Sequence, residues 1–367
     1  MNDTPKHMDY AILAMTLLLM AIGVMMVYST SAILASERYG DVYYFLKREL
    51  LFTGLGLGLM FSFKSLDYHH YYKLTYPILF FCFILLLLVF IPGLGYEVNG
   101  AKRWIRIAGF GLQPSEVSKF GVLLFLAYAL AKKGEAIKNF KTGFLPTLAV
   151  PAFIAAVVLY QEDLGTAVVI ALITGLLLFV GGARWLHLGA CALATLPVIG
   201  LAIFLTPFRV KRLLAFLDPW AHRADTGFQI IQSYVAFNSG GLSGAGLGQG
   251  KQKLFYLPEA HTDFIFSGLA EELGLIGSLA VIGLFFFLIF RGIRVAFRAP
   301  DLYGTYLALG ITSLLSVQAL MNFAVVMGLM PTKGLPLPFI SHGGTALLIF
   351  SSLMGILLNI SSQTLKK

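Results

Sequence analysis

The amino-acid sequence predicts an all-α polytopic membrane protein with ten transmembrane helices. Of its 367 residues, 58% are hydrophobic and only 12% are charged, whereas soluble domains carry about 25% charged residues. Apolar runs also recur at close to the ~17–25 residues that a membrane-spanning helix needs. They predict spans at 10–34, 46–63, 74–92, 115–131, 144–160, 164–182, 185–206, 263–290, 303–329 and 343–362.

We interpret residues 1–367 as one membrane domain, with a large outer loop at 207–262 between spans seven and eight. If the N-terminus is cytoplasmic, 13 Lys and Arg residues fall in inner segments and 13 in outer ones. Six of the outer cations lie in loop 207–262, and long loops carry little weight in the positive-inside rule. We therefore expect both termini to be cytoplasmic. The outer cations then need another explanation, and an anionic ligand is one.

The net charge of +9 is spread over both faces of the membrane, which argues against nucleic acid as a partner. One of the outer segments, 93–114, contains the turn signal Asn99-Gly100, followed by alternating residues over 102–107. This pattern predicts a short hairpin at the membrane surface. Within it, Trp104 would either anchor the segment in the interface or stack on a sugar.

Loop 207–262 is longer than a connection requires, and unstructured loops of that length are usually functional. It opens with a basic amphipathic stretch at 209–220, which we expect to lie in the interface, and it ends in a glycine run at 239–250. The run matches no nucleotide-binding glycine motif. Its backbone N–H groups could approach a phosphate, or the run is simply a flexible loop.

Asp263, where the long loop enters the eighth span, is the first catalytic candidate. A charge in hydrocarbon costs at least about 2.5–3.5 kcal/mol on insertion scales, so an acid in a span indicates function. The alternative is that Asp263 serves only as a helix N-cap. Glu271 and Glu272 lie about 12 Å deeper, at 1.5 Å per residue, and capping does not explain them.

Two further helix starts carry charged residues at the same predicted membrane level. Glu116 and Lys119 are spaced i,i+3 at the start of the fourth span and share a helix face. Their alternative role is a structural ion pair. Asp163 opens the sixth span, where its alternative role is capping. Together with Asp263, these groups predict a site of carboxylates and cations near the outer leaflet.

A proline-rich segment, 330–345, precedes the last span. Its three prolines stiffen the backbone without forming a helix. Residues 341–344 could present backbone N–H groups at the start of the next helix, or the segment is only a stiff connection between two spans.

The motifs at 99–105, 113–119, 163–167, 258–263, 271–274 and 334–344 resemble, in order and over the whole chain, the SEDS family of shape, elongation, division and sporulation proteins. Residues 258–263 and 331–334 are most similar to the division branch, with the elongation branch next. His342 and Thr345 depart from the family pattern, which usually has Tyr and Ser there.

The resemblance implies a glycosyltransferase that polymerises lipid II at the outer face of the cytoplasmic (inner) membrane. It implies a class B penicillin-binding protein, a transpeptidase, as partner, together with other division or elongation membrane proteins. Asp263 is then the catalytic residue, and the binding or supporting residues are Glu116, Lys119, Asp163, Lys102, Arg103, Trp104, His261, Thr262, Glu271, Glu272, Lys333, Ser341, Gly343 and Gly344.

Among these residues, Lys102, Arg103 and Lys333 are expected to hold the lipid pyrophosphate or the growing glycan. Basic groups or a divalent cation, Mg²⁺ or Mn²⁺, would stabilise the leaving pyrophosphate, and no organic cofactor is expected. Two alternatives remain, a lipid II flippase and a non-catalytic scaffold. A flippase needs a polar path through both leaflets, and the inverted repeats typical of transporters are not evident.

Overall fold

The chain is mostly helical in its computed structural model, which describes residues 8–98, 101–107, 110–251 and 260–364. A short 3₁₀-helix, Gly134–Lys138, and a π-helical turn, Phe140–Phe144, precede the fifth helix. The α-helices are α1 Tyr10–Tyr39, α2 Tyr44–Ser65, α3 His69–Leu88, α4 Pro114–Lys133, α5 Leu145–Tyr160, α6 Leu164–Val180, α7 Trp185–Phe204, α8 Pro207–Leu217, α9 Phe228–Gly240, α10 Ile265–Phe297, α11 Leu302–Val326 and α12 Gly344–Ser362.

Each predicted span coincides with one of these helices, and α8 and α9 lie within the long loop. In the described part of the chain, seven helices are long and apolar enough to cross a membrane. The chain is therefore a multi-pass membrane protein. Helices α2, α4 and α6 are outside that set. Helix α6 has only 17 residues, and α4 is buried along most of its length, so protein rather than lipid surrounds it.

Aspartates cap several of the helices, because their side chains satisfy N–H groups that have no intrahelical partner. Asp9 accepts from the N–H groups of Ala11 and Ile12 at the start of α1. Asp163 and Asp301 do the same for α6 and α11. The capping role considered for Asp163 is thus confirmed.

The all-α prediction is wrong within segment 93–114, where the described residues form a three-stranded antiparallel sheet in the order β1 Gly95–Val98, β2 Ala101–Ile107 and β3 Phe110–Leu112. The predicted hairpin is confirmed as β1 and β2, whereas β3 was not predicted. Along β2, Ala101 and Ile105 are buried while residues between them are more exposed, which is the alternation that stabilises a half-buried strand. The predicted turn at Asn99-Gly100 lies outside the described residues.

Helix α10 breaks at Gly274, where φ is 67°, and the glycine run of the long loop packs into the break. The N–H groups of Leu275 and Ile276 donate to carbonyls of the loop, and the carbonyls of Glu271 and Glu272 accept N–H groups from it. The loop thus supplies the hydrogen bonds that the break removes from the helix, as membrane burial requires. The prediction of a purely flexible loop is wrong for the described residues of the run.

Candidate active site

Asp263 lies in the turn that precedes α10 and is partly buried. The N-cap position of α10 is Phe264, which makes no side-chain cap bond. Asp263 thus lies one residue before the N-cap position of α10, and both of its considered roles, capping and catalysis, stay predictions. The segment after α11 approaches the carboxylate closely: a Cβ built on Gly334 would lie 3.4 Å from Asp263 Oδ2. A glycine at this position leaves room beside the acid.

Two amide side chains on α11 hold the backbone of Asp263 and the backbone of the proline-rich segment. Asn322 Nδ2 donates to the carbonyls of Asp263 and Leu335, both at 2.9 Å. One turn earlier, Gln318 Nε2 donates to the carbonyl of Pro336 at 3.0 Å. Residues four apart share a helix face, so α11 positions the turn that carries Asp263 and the proline-rich segment together.

Lys119 connects this framework to α4. Its ammonium lies 2.7 Å from Glu116 Oε1 and 2.6 Å from Gln318 Oε1. Both charged side chains are almost fully buried, at 0% and 2% exposure. The predicted ion pair is thus confirmed. Within the described residues, the second carboxylate oxygen of Glu116 is buried without a hydrogen-bond partner, so the pair offsets only part of the cost of burying its charges.

The predicted site residues in segment 341–344 lie against the turn at 261–263. Ser341 Oγ donates to the carbonyl of Thr262 at 2.6 Å, and the His342 N–H donates to the carbonyl of His261 at 3.0 Å. Gly343 then precedes α12 and Gly344 begins it. A Cβ on Gly344 would lie 2.6 Å from the ring of Phe52 on α2, so this glycine serves close packing. Binding of substrate by N–H groups of this segment stays a prediction.

His342, which departs from the family pattern, has a specific partner in this chain. Its Nδ1 lies 2.6 Å from Oε2 of Glu49, a buried carboxylate on α2. The His261 ring stands near it, with 6.0 Å between the ring centres. Burial, helped by the nearby His342 and Arg38, lowers the pKa of His261 to about 3, so His261 is neutral at physiological pH.

Two partly buried cations, Arg212 and Lys333, lie on the segments near Asp263. Burial lowers the pKa of Arg212 on α8, an effect that the charge of Asp263 opposes and that of Arg103 reinforces. Arg212 also donates to the carbonyl of Thr332, the neighbour of Lys333. Burial lowers the pKa of Lys333 as well, and the described residues provide no ion-pair partner for it. Partly buried cations without full neutralisation are suited to an anionic ligand.

Asp163 has a second role besides capping. Its Oδ2 accepts from Ser115 Oγ at 2.9 Å and from Gln113 Nε2 at 3.2 Å, so it joins α6 to the start of α4. Arg103 donates to the carbonyl of Glu162 at 2.9 Å. These contacts bring the sheet, α4 and α6 to one end of the helix bundle.

For four of the predicted site residues, the structure shows other surroundings than the turn that carries Asp263. Lys102 is exposed on β2, and Trp104 packs beside Tyr96 in the sheet. In the described part of the chain, Glu272 accepts from Gly248 N–H and Ser29 Oγ, and Glu271 accepts from Lys251 N–H. These two carboxylates therefore hold the glycine loop, and one of the amides that they bind, Gly248 N–H, belongs to the run that was considered for a phosphate. Pro258 and Glu259 lie outside the described residues.

Sequence reasoning missed Gln318, Asn322 and Glu49 and gave Arg212 no specific role. A signal existed for the first two, because amide side chains four residues apart in an apolar span need buried partners. The described residues contain no group of three or more His, Cys, Asp or Glu that could hold a metal ion. A divalent cation, Mg²⁺ or Mn²⁺, at this site stays a prediction.

Comparison with known proteins identifies the architecture. The profile of the FtsW/RodA/SpoVE cell cycle proteins matches residues 9–366. A Geobacter metallireducens relative named probable peptidoglycan glycosyltransferase FtsW is 47% identical over 358 residues, covering 98% of this chain and 96% of that protein. Stage V sporulation protein E of Bacillus subtilis is 43% identical over 358 residues, covering 96% of each.

Solved structures of related proteins have the same overall fold as this chain. A chain from a structure described as "Structural coordination of polymerization and crosslinking by a peptidoglycan synthase complex" has a TM-score of 0.77 and 30% identity, covering 96% of this chain and 97% of its own. The rod shape determining protein RodA of Thermus thermophilus has a TM-score of 0.72 and 28% identity, covering 98% of both chains. The resemblance seen in the motifs is confirmed, and the chain belongs to the FtsW/RodA/SpoVE family of cell cycle proteins.

Proposed function

We propose that this protein is a peptidoglycan glycosyltransferase that polymerises lipid II for septal wall synthesis during cell division. The observation that carries the proposal is that Asp263 interacts with the charge of Arg212 and lies against Gly334, the neighbour of the partly buried Lys333. The carboxylate provides a base for a sugar hydroxyl, and the partly buried cations provide a binding site for a pyrophosphate. The names of the relatives support the same activity.

In the proposed reaction, the 4-hydroxyl of the acceptor sugar attacks the anomeric carbon of the donor. The new C–O bond forms as the bond to undecaprenyl pyrophosphate breaks, and Asp263 takes the hydroxyl proton. Asn322 fixes the backbone of Asp263 by donating a hydrogen bond to the carbonyl of Asp263. The carboxylate is thereby held in place before substrate arrives, which lowers the cost of reaching the reactive geometry.

Negative charge develops on the pyrophosphate as it leaves, and Lys333, Arg212 and Arg103 are the groups that stabilise it. Lys333 and Arg212 are partly buried, so water screens their charges less than at an open surface. A divalent cation remains an expectation. If one takes part, substrate oxygens would have to supply most of its ligands, since the described residues form no such site.

In the proposed topology, all ten helices that match predicted spans cross the cytoplasmic membrane, and both termini are cytoplasmic. The starts of α4, α6, α10 and α12 then lie on the outer face. This places the carboxylates and cations of the site where lipid II is available for polymerisation. The contacts among these four helix starts support that arrangement.

The decisive experiment measures glycan chains formed from lipid II by the purified chain together with its class B penicillin-binding protein. Asp263→Asn keeps the shape of the side chain and removes its charge, and we expect it to abolish polymerisation. Asp225→Asn is the matched control, because Asp225 is an exposed aspartate of the same loop and should retain activity.

Polymerisation by Asp263→Asn at the wild-type rate would show that the catalytic assignment is wrong. A wild-type protein that moves lipid II across liposome membranes without forming chains would instead be a flippase.

A further inference from the structure

A polar pocket lies at the opposite end of the helix bundle from Asp263. Its volume is about 170 Å³, far more than a single water molecule requires. It forms where α1 begins and where α10 and α12 end. The polar residues that line it are Asp9, Arg291, Arg294, Arg298, Ser361 and Thr364.

The positive charge of this pocket is only partly neutralised. Arg291 donates from Nε and Nη2 to Asp9 Oδ2, at 2.9 and 2.5 Å. The other oxygen of Asp9 caps α1, so the carboxylate has no free acceptor directed at a second guanidinium. Arg294 and Arg298 are exposed, and neither has an ion-pair partner within the described ranges. Two guanidinium groups thus remain available for an anion.

An apolar stripe runs directly beside the arginines. Each pocket arginine follows an exposed apolar residue on α10: Phe290 before Arg291, Ile293 before Arg294 and Phe297 before Arg298. The exposures of the three apolar residues are 55%, 39% and 79%. On a helix, positions spaced i, i+3 and i+7 form one stripe, so a polar stripe and an apolar stripe lie next to each other near the end of α10.

We propose that this pocket binds the phosphate headgroup of an anionic phospholipid, while an acyl chain lies along Phe290, Ile293 and Phe297. Guanidinium groups form paired hydrogen bonds with phosphate oxygens, and basic pockets between transmembrane helices bind acidic headgroups. The adjacent apolar stripe distinguishes a lipid from an acidic soluble peptide, which would cover the arginines and leave the phenylalanines in lipid. The site is separate from the one proposed for polymerisation and does not depend on it.

The experiment is a lipid titration of the purified full-length chain, followed by native mass spectrometry. Phosphatidylglycerol, an anionic lipid, is compared with zwitterionic phosphatidylcholine of the same acyl chains. At about 1 kcal/mol for each arginine near the surface, we expect the double variant Arg294→Gln/Arg298→Gln to bind phosphatidylglycerol roughly 30-fold more weakly. The variant Arg294→Lys/Arg298→Lys, which keeps both charges, should recover part of the affinity.

The matched control is Lys141→Gln/Arg184→Gln, which removes two exposed cations from the same face in the proposed topology but outside the pocket. It should bind phosphatidylglycerol as the wild type does. Equal wild-type binding of the two lipids would overturn the proposal. So would an equal loss of affinity in the control, which would indicate general surface charge rather than a pocket.

Discussion

Lys119 Nζ lies 2.6 Å from Gln318 Oε1, and the amide nitrogen of the same Gln318 donates to the carbonyl of Pro336. A buried charge on α4 is therefore linked, through one side chain on α11, to the proline-rich segment beside Asp263. The link gives the Glu116–Lys119 pair a positioning role as well as a structural one.

The first prediction concerns that pair. Lys119→Met leaves the buried Glu116 without a counter-ion, and breaking a buried pair costs about 3–5 kcal/mol. We expect a lower melting temperature together with reduced polymerisation. Glu116→Gln/Lys119→Met, which removes both charges, should recover most of the stability.

A Lys138→Met control should change neither quantity, because Lys138 pairs with Glu135 at an exposed site. An unchanged melting temperature with lost activity in Lys119→Met would instead indicate direct contact between Lys119 and substrate.

The second prediction concerns Asn322. Asn322→Leu removes the donor shared by the carbonyls of Asp263 and Leu335, and an unsatisfied buried group costs about 1–3 kcal/mol. Because the turn that carries Asp263 loses its support, we expect the turnover number to fall more than substrate affinity does. The measurement is the dependence of polymerisation rate on lipid II concentration.

Asn238→Leu is the control for this prediction, because Asn238 is exposed and its amide donates to no group in the described chain. A rise in KM with an unaltered turnover number would argue against a positioning role for Asn322.

The third prediction is a pH dependence of substrate binding. Burial lowers the pKa of Lys333, so Lys333 loses its proton at a lower pH than an ordinary lysine, whose pKa is ~10.4. Binding of the anionic lipid should weaken as pH rises through that lowered pKa. Lys333→Arg, which stays charged, should flatten the fall, and Lys333→Gln should bind weakly throughout.

Lipid II binding measured from about pH 7 to pH 10 tests this prediction. Lys47→Arg, an exposed lysine paired with Asp41, serves as control and should keep the wild-type profile. If Lys333→Arg shows the same decline as the wild type, another group is responsible for it.

The fourth prediction concerns the glycine loop. Gly244 has a φ of +83°, and a Cβ there would lie 2.2 Å from the carbonyl oxygen of Glu272. Gly244→Ala should displace the loop from the break in α10, lower the melting temperature and increase proteolysis near Lys251. The control is Gly248→Ala, because Gly248 has a similar φ of +77° but a Cβ there would have nothing within 4 Å. The comparison separates the effect of backbone strain, which both variants share, from the steric clash at position 244. Equal effects of the two variants would show that the clash is not the cause.

Much of the fold was predictable because membrane spans follow from local composition, and each apolar run forms a helix. The break at Gly274 was not, since it depends on hydrogen bonds to the loop at 241–246, which the chain brings back from about thirty residues away. The same limit applies to the candidate site. The Glu116–Lys119 pair could be predicted from its spacing, whereas the partners of His342 and Asn322 depend on how distant helices pack.

The last prediction is that a class B penicillin-binding protein activates the chain through loop 207–262. Ser233 on α9 contacts Ser267 on α10, with 2.7 Å between their Oγ atoms, so a partner docked on the loop could shift the helix that follows Asp263. Leu217, at the end of α8, is 69% exposed and is available for such docking.

We expect little polymerisation by the isolated chain and a large increase when the partner is added with its transpeptidase site inactivated. Leu217→Glu should reduce this increase and leave the basal rate unchanged. Leu329→Glu, which alters a comparably exposed leucine outside the loop, should not. If the inactivated partner produces no increase, activation through the loop is wrong, and any stimulation by the active partner arises from cross-linking.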